Sequence, residues 1–209
     1  TDSVAGEDVQ AQKDAAKLVI KSGDFKASSG PKSCSVVKND DYGVLEIAGG
    51  TFDSTTNNNE ENAATLLNWN VAKVTGGVFK GKYPIANGSY GAESADQGVV
   101  EVSGGTFVGS QTLFGCNGGA KSGEGKVSIT AGTFSAPSLV GEGTKLPYDV
   151  AINGGTFSAD AYMDKDACYE YKMSDGTFIV QSKNAAAPGN SAGYNTWGAA
   201  DANGVRSEE

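Results

Sequence analysis

Two glutamates, Glu46 and Glu101, come nearest in this chain to a pair that could do hydrolytic chemistry. Each stands six residues before a phenylalanine, Phe52 and Phe107, of a kind that recurs along the chain. If those phenylalanines mark successive turns of a repeat, the two carboxylates lie two turns apart, with backbones about 10 Å apart at the usual strand spacing. An inverting glycosidase holds its acid and base at about that separation, leaving room for a water. Lys73, however, holds the same position in the repeat between them. A lysine flanked by two carboxylates keeps both ionised, whereas a catalytic acid needs a raised pKa. Alternating charge on neighbouring strands is also ordinary cross-strand stabilisation. The charge ladder is the favoured reading, and a polysaccharide-acting hydrolase or lyase using Glu46 and Glu101 is the alternative.

Other chemistry is sparse. The chain has no histidine, which removes the commonest general base and metal ligand together with any Ser-His or Cys-His dyad. Its only arginine is Arg206, so the Asp, Arg and Lys clusters of a lyase are missing. Acidic pairs such as Asp40-Asp41, Glu60-Glu61 and Asp164-x-Asp166 lack the ligand spacing of a calcium loop, and solvated charge is the default. No metal site and no cofactor are expected. Cys34 and Cys116 fall three repeats apart, about 14 Å and beyond disulfide reach, so the cysteines, Cys168 included, read as small buried hydrophobes. Tyr42 and Trp69 both stand ten residues before a phenylalanine, with Asn68, Asn70 and Tyr83 nearby. Stacked aromatics beside amides give a sugar a flat face and hydrogen bonds, and these five residues are the candidate ligand corner. A threonine precedes most of the phenylalanines (Thr51, Thr106, Thr133, Thr156); a β-branched residue in a strand beside a glycine corner explains that column.

The elements that position these residues are written in one repeated phrase, clearest as Val150-Ala151-Ile152-Asn153-Gly154-Gly155-Thr156-Phe157. The phenylalanines Phe25, Phe52, Phe79, Phe107, Phe134, Phe157 and Phe178 are 27, 27, 28, 27, 23 and 21 residues apart. A fixed period of that size with one extended unit per copy predicts a solenoid. Apolar residues seven and five positions before each phenylalanine (Leu45 and Ile47, Val100 and Val102, Val127 and Ile129) point inward from a strand. The glycine pair that follows makes a corner, after which the phenylalanine turns back inside. A third apolar segment, such as Thr65-Leu66-Leu67 or Pro84-Ile85-Ala86, completes each turn. The expected fold is all-β: one right-handed parallel β-helix of about six coils with capped ends. The L-x-x-L-x-L phrase and asparagine ladder of a leucine-rich repeat are not apparent.

Residues 1–17, acidic and alanine-rich, read as an N-terminal cap, and 18–168 as the β-helix. Tyr169–Lys183 reads as a capping hairpin closed at Asp175-Gly176. Residues 184–209 read as a linker-like tail in which Tyr194 and Trp197 are the available anchors. A net charge of −9 argues against nucleic acid or an anionic membrane surface, and no apolar run reaches the ~18 residues of a spanning helix. The start at Thr1, without an initiator Met or signal peptide, reads as a processed protein or an excised module.

The phrase V-x-I-x-G-G-T-F, closed by a tyrosine-rich D-G-T-F segment, resembles the GGTF-repeat β-helix regions of large surface proteins from gut anaerobic bacteria. The resemblance covers Leu18 to about Val180, with Ile152 to Asp160 its closest piece. It implies a pectate-lyase-like β-helix, a secreted or cell-surface location, and a role as adhesin or spacer. The expected function is thus a non-enzymatic, monomeric extracellular module that presents loops or corners to a glycan or host-surface macromolecule.

Overall fold

The computed structural model describes residues 16–27, 35–40, 43–56, 64–88, 98–116, 125–144, 146, 148–161 and 164–209. These residues are all β, with no helix among them. The strands are β1 (Lys17–Ile20), β2 (Asp24–Lys26), β3 (Val37–Asn39), β4 (Val44–Ile47), β5 (Thr51–Asp53) and β6 (Ala64–Asn68). They continue as β7 (Val71–Val74), β8 (Val78–Gly81), β9 (Tyr83–Asn87), β10 (Val99–Gly109), β11 (Phe114–Cys116) and β12 (Gly125–Ser135). The last are β13 (Tyr148–Ile152), β14 (Gly155–Phe157), β15 (Cys168–Lys172), β16 (Phe178–Ser182) and β17 (Val205–Ser207).

Copies of the phrase lie edge to edge in parallel, as the periodicity predicts. Leu45 pairs with Ala72, Val100 with Val127 and Val127 with Val150. Their side chains alternate between core and solvent. The six rings from Phe25 to Phe157 form one face-stacked column, with centroids 4.6 to 5.0 Å apart and planes within 10°. The inner rings are wholly buried among Leu45, Ile47, Val74, Val102 and Ile129.

The doubled glycine has two separate causes. At Gly76 the backbone runs so close to the preceding turn that a Cβ would sit 2.4 Å from the Ala48 carbonyl oxygen. At Gly77 the chain takes φ of 103°, which disfavours any side chain. The same division holds at Gly104 and Gly105.

The structure is a parallel β-solenoid of about four turns, fewer than the six expected. The phenylalanines count only crossings of the larger sheet, which holds 13 strands. A closed turn also needs the third strand, and the second sheet has four, in the order β11-β9-β6-β3. The first rung, β1 and β2, leaves Leu18 56% exposed, so inward register alone does not bury a residue at the end of the stack. Of the expected N-terminal cap, residues 1–15 lie outside the described residues, and Lys17 already belongs to β1.

At the other end the chain reverses. β16 pairs antiparallel with β14, setting Phe178 opposite Phe157, and β15 folds back antiparallel on β16. A parallel neighbour for β14 would continue the solenoid; an antiparallel one stops it and covers the edge. The segment expected to be linker-like is folded onto this hairpin instead. β17 pairs parallel with β15. Trp197 is buried with its ring 4.9 Å from Tyr171, and its indole N–H donates to the Pro188 carbonyl at 2.8 Å. Arg206 donates to the carbonyls of Gly198 and Trp197. Tyr194, the other proposed anchor, is exposed. A segment poor in aliphatics is thus held by one tryptophan and many turn hydrogen bonds.

Candidate functional site

The register places Glu46, Lys73, Glu101 and Ser128 side by side on the outer face of β4, β7, β10 and β12. Each acid has its own lysine. Glu46 pairs at 2.7 Å with Lys17 on the preceding rung, and Glu101 pairs at 3.7 Å with Lys73. An open groove of about 330 Å³ runs past Lys73, Thr75, Glu101, Ser103, Ser128 and Thr130, and Glu46 is not among its lining residues. Acid and base of a hydrolytic pair must flank one substrate bond. These two carboxylates do not face a common cavity, and each is neutralised by an ammonium group. A second charge ladder runs beside the first: Asp53 lies in register between Lys26 and Lys80. The Thr55 hydroxyl and backbone N–H donate to the Asp53 carboxylate, holding its pKa below the ordinary value, with the two lysines adding to the effect.

The amides proposed for a ligand corner are turned inward. Asn68 is fully buried at the end of β6 and joins a ladder that crosses the second sheet. Asn39 donates to Asn68 Oδ1 at 2.8 Å, and Asn68 donates to Asn87 Oδ1 at 2.9 Å. The same amides donate to the carbonyls of Gly43, Val71, Asn70, Val99, Gly98 and Lys126, satisfying the corners where β3, β6 and β9 end. Asn70 is buried too and donates to the Gly43 carbonyl at 2.8 Å. Neither side chain is free to meet a ligand.

An asparagine ladder is not apparent in the sequence, yet the structure has one. The phrase that carries it is an inward apolar residue, any residue, then Asn: Val37-Lys38-Asn39, Leu66-Leu67-Asn68 and Ile85-Ala86-Asn87. Alignment on the phenylalanines hides it, because these asparagines stand 13, 11 and 20 residues before Phe52, Phe79 and Phe107. Loops of unequal length intervene. On the next rung Cys116 takes the equivalent backbone position, in register with Asn87.

Of the aromatic corner, Tyr42 lies outside the described residues. Trp69 is half-buried, with the Lys38 ammonium 3.7 Å from its ring centroid; Lys38 also pairs with Asp40 at 3.0 Å. Tyr83 is half-buried and donates its hydroxyl to Gln111 Oε1 at 2.9 Å. A sugar ring approaching Trp69 on the lysine side would have to displace that ammonium.

No family model, curated protein or solved structure matches this chain.

Function must therefore be read from the side chains themselves. Among the described residues no group of His, Cys, Asp and Glu could hold a metal ion, and no helix is long and apolar enough to cross a membrane. Cys34 lies outside the described residues. Cys168 is buried, and burial, reinforced by Asp164, pushes its thiol pKa up, which makes it a poor nucleophile.

Proposed function

We propose that the chain is a non-enzymatic, extracellular β-solenoid module of a bacterial surface protein, acting as a structural and adhesive element that presents its outer corners to a glycan or host surface. The observation that carries this reading is the use to which the chemistry-bearing residues are put. The carboxylates with suitable spacing are bridged by lysines on neighbouring rungs, and the amides are spent inside the coil. Enzymes hold pKa-shifted groups together in a cleft; here the polar residues stack the scaffold. The resemblance to GGTF-repeat surface proteins supports the extracellular location.

Trp69, just past the end of β6, is the corner offered to a glycan; Tyr83, bonded to Gln111, lies opposite Ala64 at the other end of that strand, roughly 16 Å away along the sheet. A glycan-array screen tests this. Binding by the wild-type chain that Trp69→Ala weakens at least tenfold and Tyr83→Ala leaves unchanged supports the corner, and binding unchanged by Trp69→Ala removes it. The polysaccharide-acting alternative is tested by incubation with soluble polysaccharides. Chain cleavage by the wild type that Glu46→Gln and Glu101→Gln each abolish would replace the adhesive reading with an enzymatic one.

A further inference from the structure

Glu170 is an acidic residue buried, among the described residues, without a cation partner. It lies in the middle of β15, 3% exposed, between Val180 on β16 and Val205 on β17. Its Oε1 accepts a 2.8 Å hydrogen bond from the Ala161 N–H, in the segment that leaves the last rung. Its own N–H donates to the Gly204 carbonyl in the tail. One residue thus joins the end of the solenoid, the capping hairpin and the C-terminal strand.

The charged groups acting on it are Asp160, beside Ala161, and Asp201, in the turn before β17; both are acidic. The cations nearby are engaged elsewhere. Arg206 lies over the Tyr169 and Tyr171 rings and bonds the Trp197 and Gly198 carbonyls. Lys172 lies over Phe178, and Lys183 over Tyr169. A buried carboxylate with one donor among the described residues and two anionic neighbours is costly when charged. A neutral carboxyl keeps the Ala161 hydrogen bond and loses the repulsion.

We infer that Glu170 is a proton-operated latch for the C-terminal cap, which holds β17 and Trp197 firmly when neutral and loosely when ionised. Burial raises the Glu170 pKa, as do Asp160 and Asp201, against the opposing effect of the Ala161 N–H. A group with a raised folded-state pKa contributes stability that is full below its unfolded value and is lost as pH rises through the folded value. The cap therefore tightens in acid and relaxes toward neutral pH.

Trp197 reports directly on the cap, because its ring packs on Tyr171. The test follows Trp197 emission through urea unfolding in a Trp69→Phe background, from about pH 4.5 to neutral, with and without Glu170→Gln. Glutamine mimics the neutral acid. The expected result is a Trp197 midpoint that coincides with that of the Glu170→Gln chain in acid and falls progressively below it as pH rises. Parallel pH profiles, or a Glu170→Gln chain less stable at neutral pH, would overturn the latch. Should that variant not fold, Asp160→Asn with Asp201→Asn is expected to raise the neutral-pH midpoint; an unchanged or lower midpoint overturns the inference equally.

Discussion

The phenylalanine column makes the sharpest quantitative prediction, because its rings differ in their number of stacked neighbours and in burial. Phe107 is fully buried between Phe79 at 4.8 Å and Phe134 at 5.0 Å. Phe25, in the first rung, stacks among the described residues only on Phe52, at 4.9 Å, and is half-buried. Truncating a fully buried phenylalanine to alanine costs about 3–5 kcal/mol, and the upper half is expected for Phe107, which loses two stacked partners. Phe25→Ala forfeits one partner and roughly half the burial, so about 1.5–2.5 kcal/mol is expected. The difference, about 2 kcal/mol, corresponds to roughly 1 M in urea midpoint at a slope near 2 kcal/mol/M. Urea titration followed by far-ultraviolet circular dichroism reads it directly. Equal midpoints for the two variants, or a cost below about 1 kcal/mol for Phe107→Ala, would refute the nearest-neighbour stack.

Four further substitutions probe the scaffold. Gly76→Ala sets a Cβ 2.4 Å from a backbone oxygen and is expected to cost at least ~3 kcal/mol, or about 6–12 °C in Tm. Gly143→Ala, at φ of 70° in open space, is expected to cost about 1 kcal/mol, and scanning calorimetry separates the two. Asn68→Leu leaves Asn39 and Asn87 without their ladder partner and removes a side-chain donor from the carbonyls of Asn70 and Val99, a loss of ~3 kcal/mol or more, measurable by urea denaturation. Asp53, whose pKa is held down by Thr55, supports the fold above its ordinary value, and that support is lost as pH falls through the folded value. Acid unfolding of Asp53→Asn is expected to lack that component of the wild-type pH dependence.

The solenoid was legible in the sequence because its causes are local and periodic. Each turn needs a ring over a ring, two inward aliphatics, and glycines where the backbone crosses a carbonyl or turns through positive φ. Phe52, Gly76 and Gly77 carry that information by themselves. The coil count was less legible, since phenylalanines mark one sheet and a full turn depends on third strands reached through loops of varying length. Those loops also hid Asn39, Asn68 and Asn87, whose equivalence is spatial. The folded tail escaped because composition averages over residues, while one buried indole and a parallel strand decide the outcome. Glu170 could not be found from period-two patterning: a glutamate between two tyrosines reads as an outward residue until β17 covers it.

The fold rests on one arrangement, the winding of successive copies about a common axis. Aromatic nuclear Overhauser contacts in a sample with protonated phenylalanine rings on a deuterated background test it most directly. The predicted result is an unbroken chain of ring-to-ring contacts, Phe25 to Phe52, then Phe79, Phe107, Phe134 and Phe157, each ring touching only its immediate neighbours. Contacts that skip a member of this series, or any of these six rings lacking contact with its neighbour in the series, would contradict it.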